Sequence, residues 1–319
     1  MAINSNYMKN IRIITYFFSI GAVALCLVLL TGFIKERSEV LVKSGSGIDR
    51  VLSPVSANVD VRVASYNVLF GNWGTPKRIG EMFKPYNFDI ICFSEVPDGD
   101  WTAKVGIELG MKYVHVGAIA SANHENKFKS ILSRTPLSNI HEIEINAAGW
   151  APASMVGAET EIQGLKVLIY SLHIPGRPYF TDTASGSAAE FIANEVIPEI
   201  DNERFIIAGD FNNHIGDAPL NLIEEKGLRS TWVELDIDLQ EKSTHQHIET
   251  GTESGVIDHI YYNISTVYRV LDGGIIYDAM NPPEEDKPTP RYRKEWEHYG
   301  KPLSDHRPIW AHISWKNSN

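Results

Sequence analysis

The chain has 319 residues, 43% of them hydrophobic and 22% charged, which suits a globular protein and argues against extended disorder. Its formal net charge of −11 argues against a protein that holds nucleic acid chiefly through phosphate contacts. An acidic nuclease stays open, because a metal can neutralise phosphate locally.

Residues 1–12 read as a short N-terminal tail. Residues 13–34, IITYFFSIGAVALCLVLLTGFI, carry no charge and are long enough to span a hydrocarbon core of ~30 Å. The run is too long for the apolar part of a cleaved signal, and Gly32-Phe33-Ile34 is not a small-x-small cleavage site. Leu25 stands before Cys26, where a lipoprotein signal needs a small residue. We therefore expect one transmembrane anchor. Lys9 and Arg12 flank one end and Lys35 and Arg37 the other, so charge asymmetry gives little orientation. The reading adopted is a single-pass protein with its catalytic domain on the exported side. Residues 35–58, polar with Gly, Ser and Pro, read as a linker. Cys26 falls in the anchor and Cys92 in a later apolar run, so no disulfide framework is expected.

From residue 59 onward short runs rich in Val and Ile recur: VDVRVASYNV, FDIICFSEV, LKVLIYSLHI, RFIIAGDF, VIDHIYYN and RPIWAHISW. Runs of this length between turn residues read as strands. Helical patterns are expected at residues 76–86, at 187–200, where Ala188, Phe191, Ile192, Glu195 and Val196 make a stripe, and at 218–226, closed by Gly227. Nothing resembling an interdomain linker follows residue 60. One layered α/β domain over 59–315 is therefore expected.

Several strands carry a chemically capable residue at one end. Asn67, Glu95, His173 and Asp210 close their runs, whereas Asp258 and the pair Asp305-His306 open theirs. If the second group runs opposite to the first, all of them meet at one edge of the packed sheets. Glu95 and Asp305 are hard oxygen donors suited to Mg2+ or Mn2+, and Asn67 can add a carbonyl oxygen. No Cys/His cluster has zinc spacing. Asp210 and Asn212 stand two residues apart and could hold a water or a phosphate oxygen between them. Asp258 could orient the imidazole of His306. Taken singly, GDFN also reads as a turn after a strand, Asn67 as a turn residue and Asp258 as a strand-edge cap. Glu95, at the end of a buried run, needs a partner to offset its burial.

The ordered set SYNVLF (65–70), SEV (94–96), SLHIPG (171–176), GDFNN (209–213), IDHI (257–260) and SDHRPI (304–309) resembles the endonuclease/exonuclease/phosphatase superfamily. That group includes deoxyribonuclease-like enzymes, abasic-site endonucleases, neutral sphingomyelinases and inositol polyphosphate phosphatases. ILSRTPL (131–137) is similar to a strand and turn found there, and the resemblance covers residues 59–315. It implies a four-layer αββα sandwich, two mainly antiparallel β-sheets flanked by helices. It also implies Glu95 as principal metal ligand with Asn67 and Asp305 nearby. Asp210 would deprotonate the attacking water, with Asn212 aiding alignment. His306, paired with Asp258, and His173 would contact phosphate oxygens.

The function expected is hydrolysis of phosphate esters, on a lipid headgroup, a small ester or nucleic acid. An endonuclease or exonuclease is the alternative within that chemistry, and a non-catalytic binding module on the same fold is a third reading. No segment points to a protein partner. The segment between Asp98 and Lys129 carries no family signature and is expected to be a loop that selects substrate. His245-Gln246-His247 could be a metal pair but, with no third ligand apparent, reads as a solvated loop; Asn123-His124-Glu125-Asn126 reads as a polar loop, with lining of the cleft as its alternative, and His259 as a packed histidine facing away from Asp258. Arg291, Arg293, Lys294, Trp296 and Tyr299 could bind an anionic, ring-bearing group or form a charged surface loop.

Overall fold

The two helical crossovers of this domain each join a pair of parallel strands, and they set its layering. The computed structural model describes residues 58–175, 182–247, 250–280 and 302–316. The expected tail, the anchor, all but the last residue of the linker and the basic aromatic stretch at 291–299 lie outside the described residues. Among those described, no helix is long and apolar enough to cross a membrane.

Twelve strands are described, in two six-stranded sheets. The first contains β1 (Val59–Asn67), β2 (Ile90–Val96), β3 (Tyr113–Val116), β4 (Phe128–Ser133), β11 (Val267–Ile275) and β12 (Ile309–Trp315), in the order β11-β12-β1-β2-β4-β3. The second contains β5 (Leu137–Glu144), β6 (Ser154–Ile162), β7 (Leu165–His173), β8 (Phe205–Asp210), β9 (Leu228–Ser230) and β10 (Asp258–Asn263), in the order β5-β6-β7-β8-β10-β9. β1 and β2 are parallel, as are β7 and β8; the other pairings are antiparallel. A parallel pair needs a crossover, and a crossover helix covers a sheet face. Helix α1 (Pro76–Phe83) lies between β1 and β2, and α3 (Asp182–Phe191) between β7 and β8.

Alternation along the central strands sends side chains to both faces, and both faces are buried. Val61, Val63, Ile90 and Cys92 of the first sheet meet Val167, Ile169, Ile206, Ala208 and Ile260 of the second in the central core. Their neighbours Ala64, Tyr66, Ile91 and Phe93 face outward against Ile79 and Phe83 of α1 and against Trp101 and Val105 of α2 (Trp101–Leu109). On the opposite side Leu172, Ile207 and Tyr261 pack on Ala188 of α3 and on Leu220 and Ile223 of α4 (Ala218–Glu224). Burying each such side chain is worth roughly 1.5–3 kcal/mol against leaving it in water. Strands covered on both faces read as continuous apolar runs, which is why they were legible in the sequence. The result is the expected order of layers, helix, sheet, sheet, helix.

Two differences concern the helices and the supposed substrate loop. The helix expected at 187–200 begins at Asp182 and continues past Phe191 as a wider turn over Ile192–Val196 and a tight one over Ile197–Glu199. The segment 98–129 is not a bare loop: it holds α2 and the edge strand β3, because Trp101 and Val105 bury against the first sheet and Gly110, at φ +66°, ends the helix. The helix expected at 76–86 is found as α1 and a following tight turn, started by Thr75, whose hydroxyl accepts from the Arg78 amide, and by Pro76.

Candidate active site

The two parallel pairs bring the C-terminal ends of β1, β2, β7 and β8 to one edge, and β10 and β12, running the other way, bring their N-terminal ends there. His173 and Asp258 both stand in register with Asp210. Asn67, Glu95, His173, Asp210, Asp258, Asp305 and His306 are all buried. Burial of so many ionisable groups is costly unless they satisfy one another or a ligand, so their contacts define the chemistry.

Glu95 is placed by a break in its strand. Continued alternation would point it to the same outer face as Phe93, into the helix-covered core. Instead the β2–β4 register slips between Phe93 and Val96, and Glu95 adopts φ 51°, a left-handed backbone costing about 1–3 kcal/mol. That bulge turns the carboxylate to the cleft. Its Oε1 lies 3.4 Å from Lys127 Nζ and 3.7 Å from His173 Nε2. Burial pushes the Glu95 carboxyl above its usual range; Lys127 opposes this and the carboxylate of Asp305 adds to it.

Asn67 is tied to both neighbouring backbone and a carboxylate of the cleft. Its Oδ1 accepts from the Leu69 amide at 3.1 Å, and its Nδ2 donates to Asp210 Oδ2 at 3.1 Å. The amide thus holds a carboxylate. Ser304 Oγ joins β1 to the start of β12, donating to the Asn67 carbonyl at 2.8 Å and lying 3.2 Å from Asp305 Oδ1.

His306 stands between two carboxylates. Its Nδ1 donates to Asp258 Oδ2 at 2.9 Å, and its Nε2 lies 3.5 Å from Asp210 Oδ2. Burial by itself would lower this imidazole, but Asp258, Asp210 and Asp305 outweigh it and hold His306 well above its ordinary value. That balance favours the imidazolium. Asp210, Asp258 and His306 are close enough to share a metal ion, and Nδ1 of His306 is already bonded to Asp258. Burial, with Asp258 and Glu95 adding to it, raises the Asp210 carboxyl above the usual carboxylate range against the pull of His306 and Asn67. For Asp305 burial pushes upward, but contacts with His245 and His306 prevail and hold it low.

His173, its ring edge-to-face with Trp150 at 5.4 Å, lies 3.6 Å from Asp210 Oδ2. Burial and the charges of Lys127, Lys129 and His306 push it far below its ordinary value, so it is a neutral imidazole able to offer one hydrogen bond. Asn212 follows β8 at φ 52°; its amide N–H donates to Asp210 Oδ1 at 2.9 Å and its Nδ2 to the Ile174 carbonyl at 3.0 Å. Gly209 precedes this turn because β7 passes close by: a Cβ there would lie 2.0 Å from the Leu172 carbonyl oxygen. His259 points away, its Nε2 bonded to the Asn213 carbonyl at 2.8 Å, as alternation requires.

Of the two segments read as solvated or polar loops, 123–125 is exposed as expected, whereas His245 is drawn into the cleft. His245 is half-buried, with Nδ1 2.7 Å from Ser254 Oγ, Nε2 3.7 Å from Asp305 Oδ2 and its ring 4.6 Å from that of His306. It bridges to His306 as a short antiparallel pair, which the sequence hides because the partners are far apart in the chain. His124 stacks on Phe70 at 4.5 Å, and Lys127 Nζ lies 5.2 Å from the Phe70 ring while reaching Glu95. The left-handed backbone of Phe70, Ala122 and Asn123 was the only local trace of this edge, and it is not visible in residue types.

The family described as Endonuclease/Exonuclease/phosphatase matches residues 64–306. No curated protein matches the chain. Among solved structures, an endonuclease/exonuclease/phosphatase family protein from Bacteroides thetaiotaomicron is similar, with TM-score 0.62 and 19% identity, covering 81% of this chain and 99% of that one. A mannosyl-6-phosphatase of Bacteroides thetaiotaomicron VPI-5482 has TM-score 0.59 and 18% identity over 79% of this chain and 99% of its own. D. rerio TDP2, solved with a single-strand DNA product, has TM-score 0.58 and 14% identity over 80% of this chain and 98% of its own. At these identities the likeness is one of fold.

Proposed function

The chain belongs to the endonuclease/exonuclease/phosphatase family, a family of phosphoric ester hydrolases, and from that premise we propose that it is a membrane-anchored, divalent-metal-dependent phosphodiesterase or phosphatase. The observation that carries the reading is the His306 ring held between Asp258 and Asp210 beside the carboxylates of Glu95 and Asp305.

The donor set fits a hard cation. Glu95 and Asp305 are buried and repel one another, and the cleft's carboxyl groups outnumber its cationic groups, Lys127 and His306. Glu95 and Asp305, with the carbonyl oxygen of Asn67, would hold Mg2+ or Mn2+, while the Asn67 amide nitrogen fixes Asp210. When bound, the ion supplies a Lewis acid that neutralises phosphoryl oxygens. Asp210, raised by burial and steadied by Asn67 and the Asn212 amide, accepts the proton of the attacking water. Asn212 limits where that water can sit. His306 offers a fixed positive donor to the oxygen charge that grows in the transition state, and neutral His173 adds a hydrogen bond.

The acidic composition and the charge-free run at 13–34 favour a lipid headgroup or a small phosphate ester over nucleic acid. The same run supports a single-pass membrane protein with the catalytic domain on the exported side. The test is an activity panel with DNA, RNA, sphingomyelin, inositol phosphates, sugar phosphates and aryl phosphate esters, each with Mg2+, Mn2+ or chelator. Metal-dependent turnover of a lipid or small ester above that of nucleic acid is expected; preference for DNA or RNA would move the assignment to nuclease.

A further inference from the structure

The loop that carries His245 is built to hold that side chain at the metal end of the cleft. Its backbone is sewn to the segment just before β12: the Gln246 amide donates to the Asp305 carbonyl at 2.9 Å and the Arg307 amide to the Thr244 carbonyl at 2.7 Å. Arg307, itself buried, donates to the Ser243 carbonyl and closes a two-pronged pair with Glu253 at 2.8 and 2.9 Å. Such a forked contact fixes orientation as well as distance. The Ser254 amide donates to the His245 carbonyl at 2.9 Å, and Ser254 Oγ meets Nδ1 of the ring at 2.7 Å. The imidazole therefore has its backbone, its rear nitrogen and its plane fixed.

What remains is the front nitrogen, Nε2, 3.7 Å from Asp305 Oδ2. That separation is too long for a hydrogen bond. Ser254 Oγ engages Nδ1, and in the tautomer that carries its proton there the lone pair of Nε2 faces the Asp305 carboxylate. Without an ion an Nε2–H attracts the Asp305 carboxylate, as the lowered Asp305 reflects; with an ion the two atoms are placed as a nitrogen and an oxygen donor to it. Histidine ligands to metals are held in this way, their second ring nitrogen engaged by a neighbouring acceptor. His245, Asp305 and His306 do lie close enough for their donor atoms to share an ion. His306 is bonded through Nδ1 to Asp258 and turns its Nε2 to Asp210 rather than to Asp305.

We propose that His245 is a nitrogen ligand to the cation held at Asp305, so that this site selects Mn2+ or a later transition ion over Mg2+. The inference rests on the reading of Glu95 and Asp305 as metal ligands. Imidazole favours the later first-row ions, whereas Mg2+ is suited by oxygen donors and keeps its waters. A scan for zinc spacing misses this pair because the two donors come from separate segments.

The test is metal binding on the full-length, tag-free chain in detergent, stripped with chelator and titrated with Mn2+ by electron paramagnetic resonance. Pulsed spectra should show nitrogen-14 coupling to bound Mn2+. In His245→Ala and His245→Gln this coupling should be lost and Mn2+ binding should weaken about tenfold or more. Mg2+ binding, measured by competition, should change by less than about threefold, since Mg2+ draws little from a nitrogen donor. Ser254→Ala should keep the coupling and weaken Mn2+ by a smaller factor. If either folded His245 variant retains the coupling and the affinity, the inference fails, while loss of Mn2+ binding in Glu95→Gln and Asp305→Asn would leave the metal reading intact. If Mn2+ binding is indifferent to Glu95 and Asp305 as well, both fail together.

Discussion

Removing His306 separates its electrostatic role in the reaction from its role in the fold, because the two effects of a second change at Asp258 have opposite signs. In His306→Ala the transition-state phosphate loses its fixed positive donor, and kcat should fall roughly 10²–10⁴-fold, the range for a positioned acid or base. Asp258→Asn keeps an acceptor near Nδ1 but removes one of three carboxylates that sustain the imidazolium; Asp210, 3.5 Å from Nε2, remains. The loss should then be smaller, on the order of 10–100-fold. The double variant should be little slower than His306→Ala, since Asp258 acts chiefly through the ring and only at a distance on Asp210. Stability should behave otherwise. Asp258 is 1% exposed, and deleting its imidazole partner leaves a buried charge unpaired, at about 3–5 kcal/mol. Changing Asp258 to Asn in that background removes the charge and should restore about 1–3 kcal/mol. The assay is a double-mutant cycle on the chain beginning at Val55, with kcat from steady-state kinetics and stability from urea unfolding. Additive losses in kcat, or a double variant less stable than His306→Ala, would refute the pairing.

Three further outcomes are expected. Chelation should abolish activity and Mn2+ or Mg2+ restore it, and Glu95→Gln should raise the metal concentration needed at least about tenfold by replacing a charged donor with a neutral one, read from activity against free metal. His259 is held neutral by burial, its value lowered to about 4 from 6.5; between those values the unfolded chain binds a proton that the folded chain refuses, so stability should fall as pH falls, by up to about 3 kcal/mol near pH 4. His259→Gln should flatten that acid limb in urea titrations, and an unchanged limb would assign it to other groups. The full-length chain should sediment with membranes and resist carbonate extraction while the chain from Val55 stays soluble; a mature N-terminus just after residue 34 would instead show cleavage.

Much of the fold was readable before any coordinates, because strands buried on both faces must be apolar throughout and must stop at polar residues. The runs at Val59–Asn67, Ile90–Val96 and Phe205–Asp210 are such strands. The edge strand β3 and helix α2 leave little local pattern because each is only partly buried, β3 at the edge of the first sheet and α2 against its face.

The sequence by itself determined which side chains stand at strand ends and in what order, since both are properties of local pattern and chain direction. It also determined that His259 faces away from Asp258, as a period of two requires. Only the tertiary structure decided how the side chains meet. The bulge that turns Glu95 out of the core depends on the partner strand β4, and the direction of the Asn67 amide depends on Asp210, 143 residues away. The raised Asp210, the sustained imidazolium of His306 and the recruitment of His245 arise from charges and backbone bonds that segments far apart in the chain bring together in a water-poor cleft. Residue identity sets what a group can do, whereas its protonation, aim and partners are set by long-range neighbours and burial.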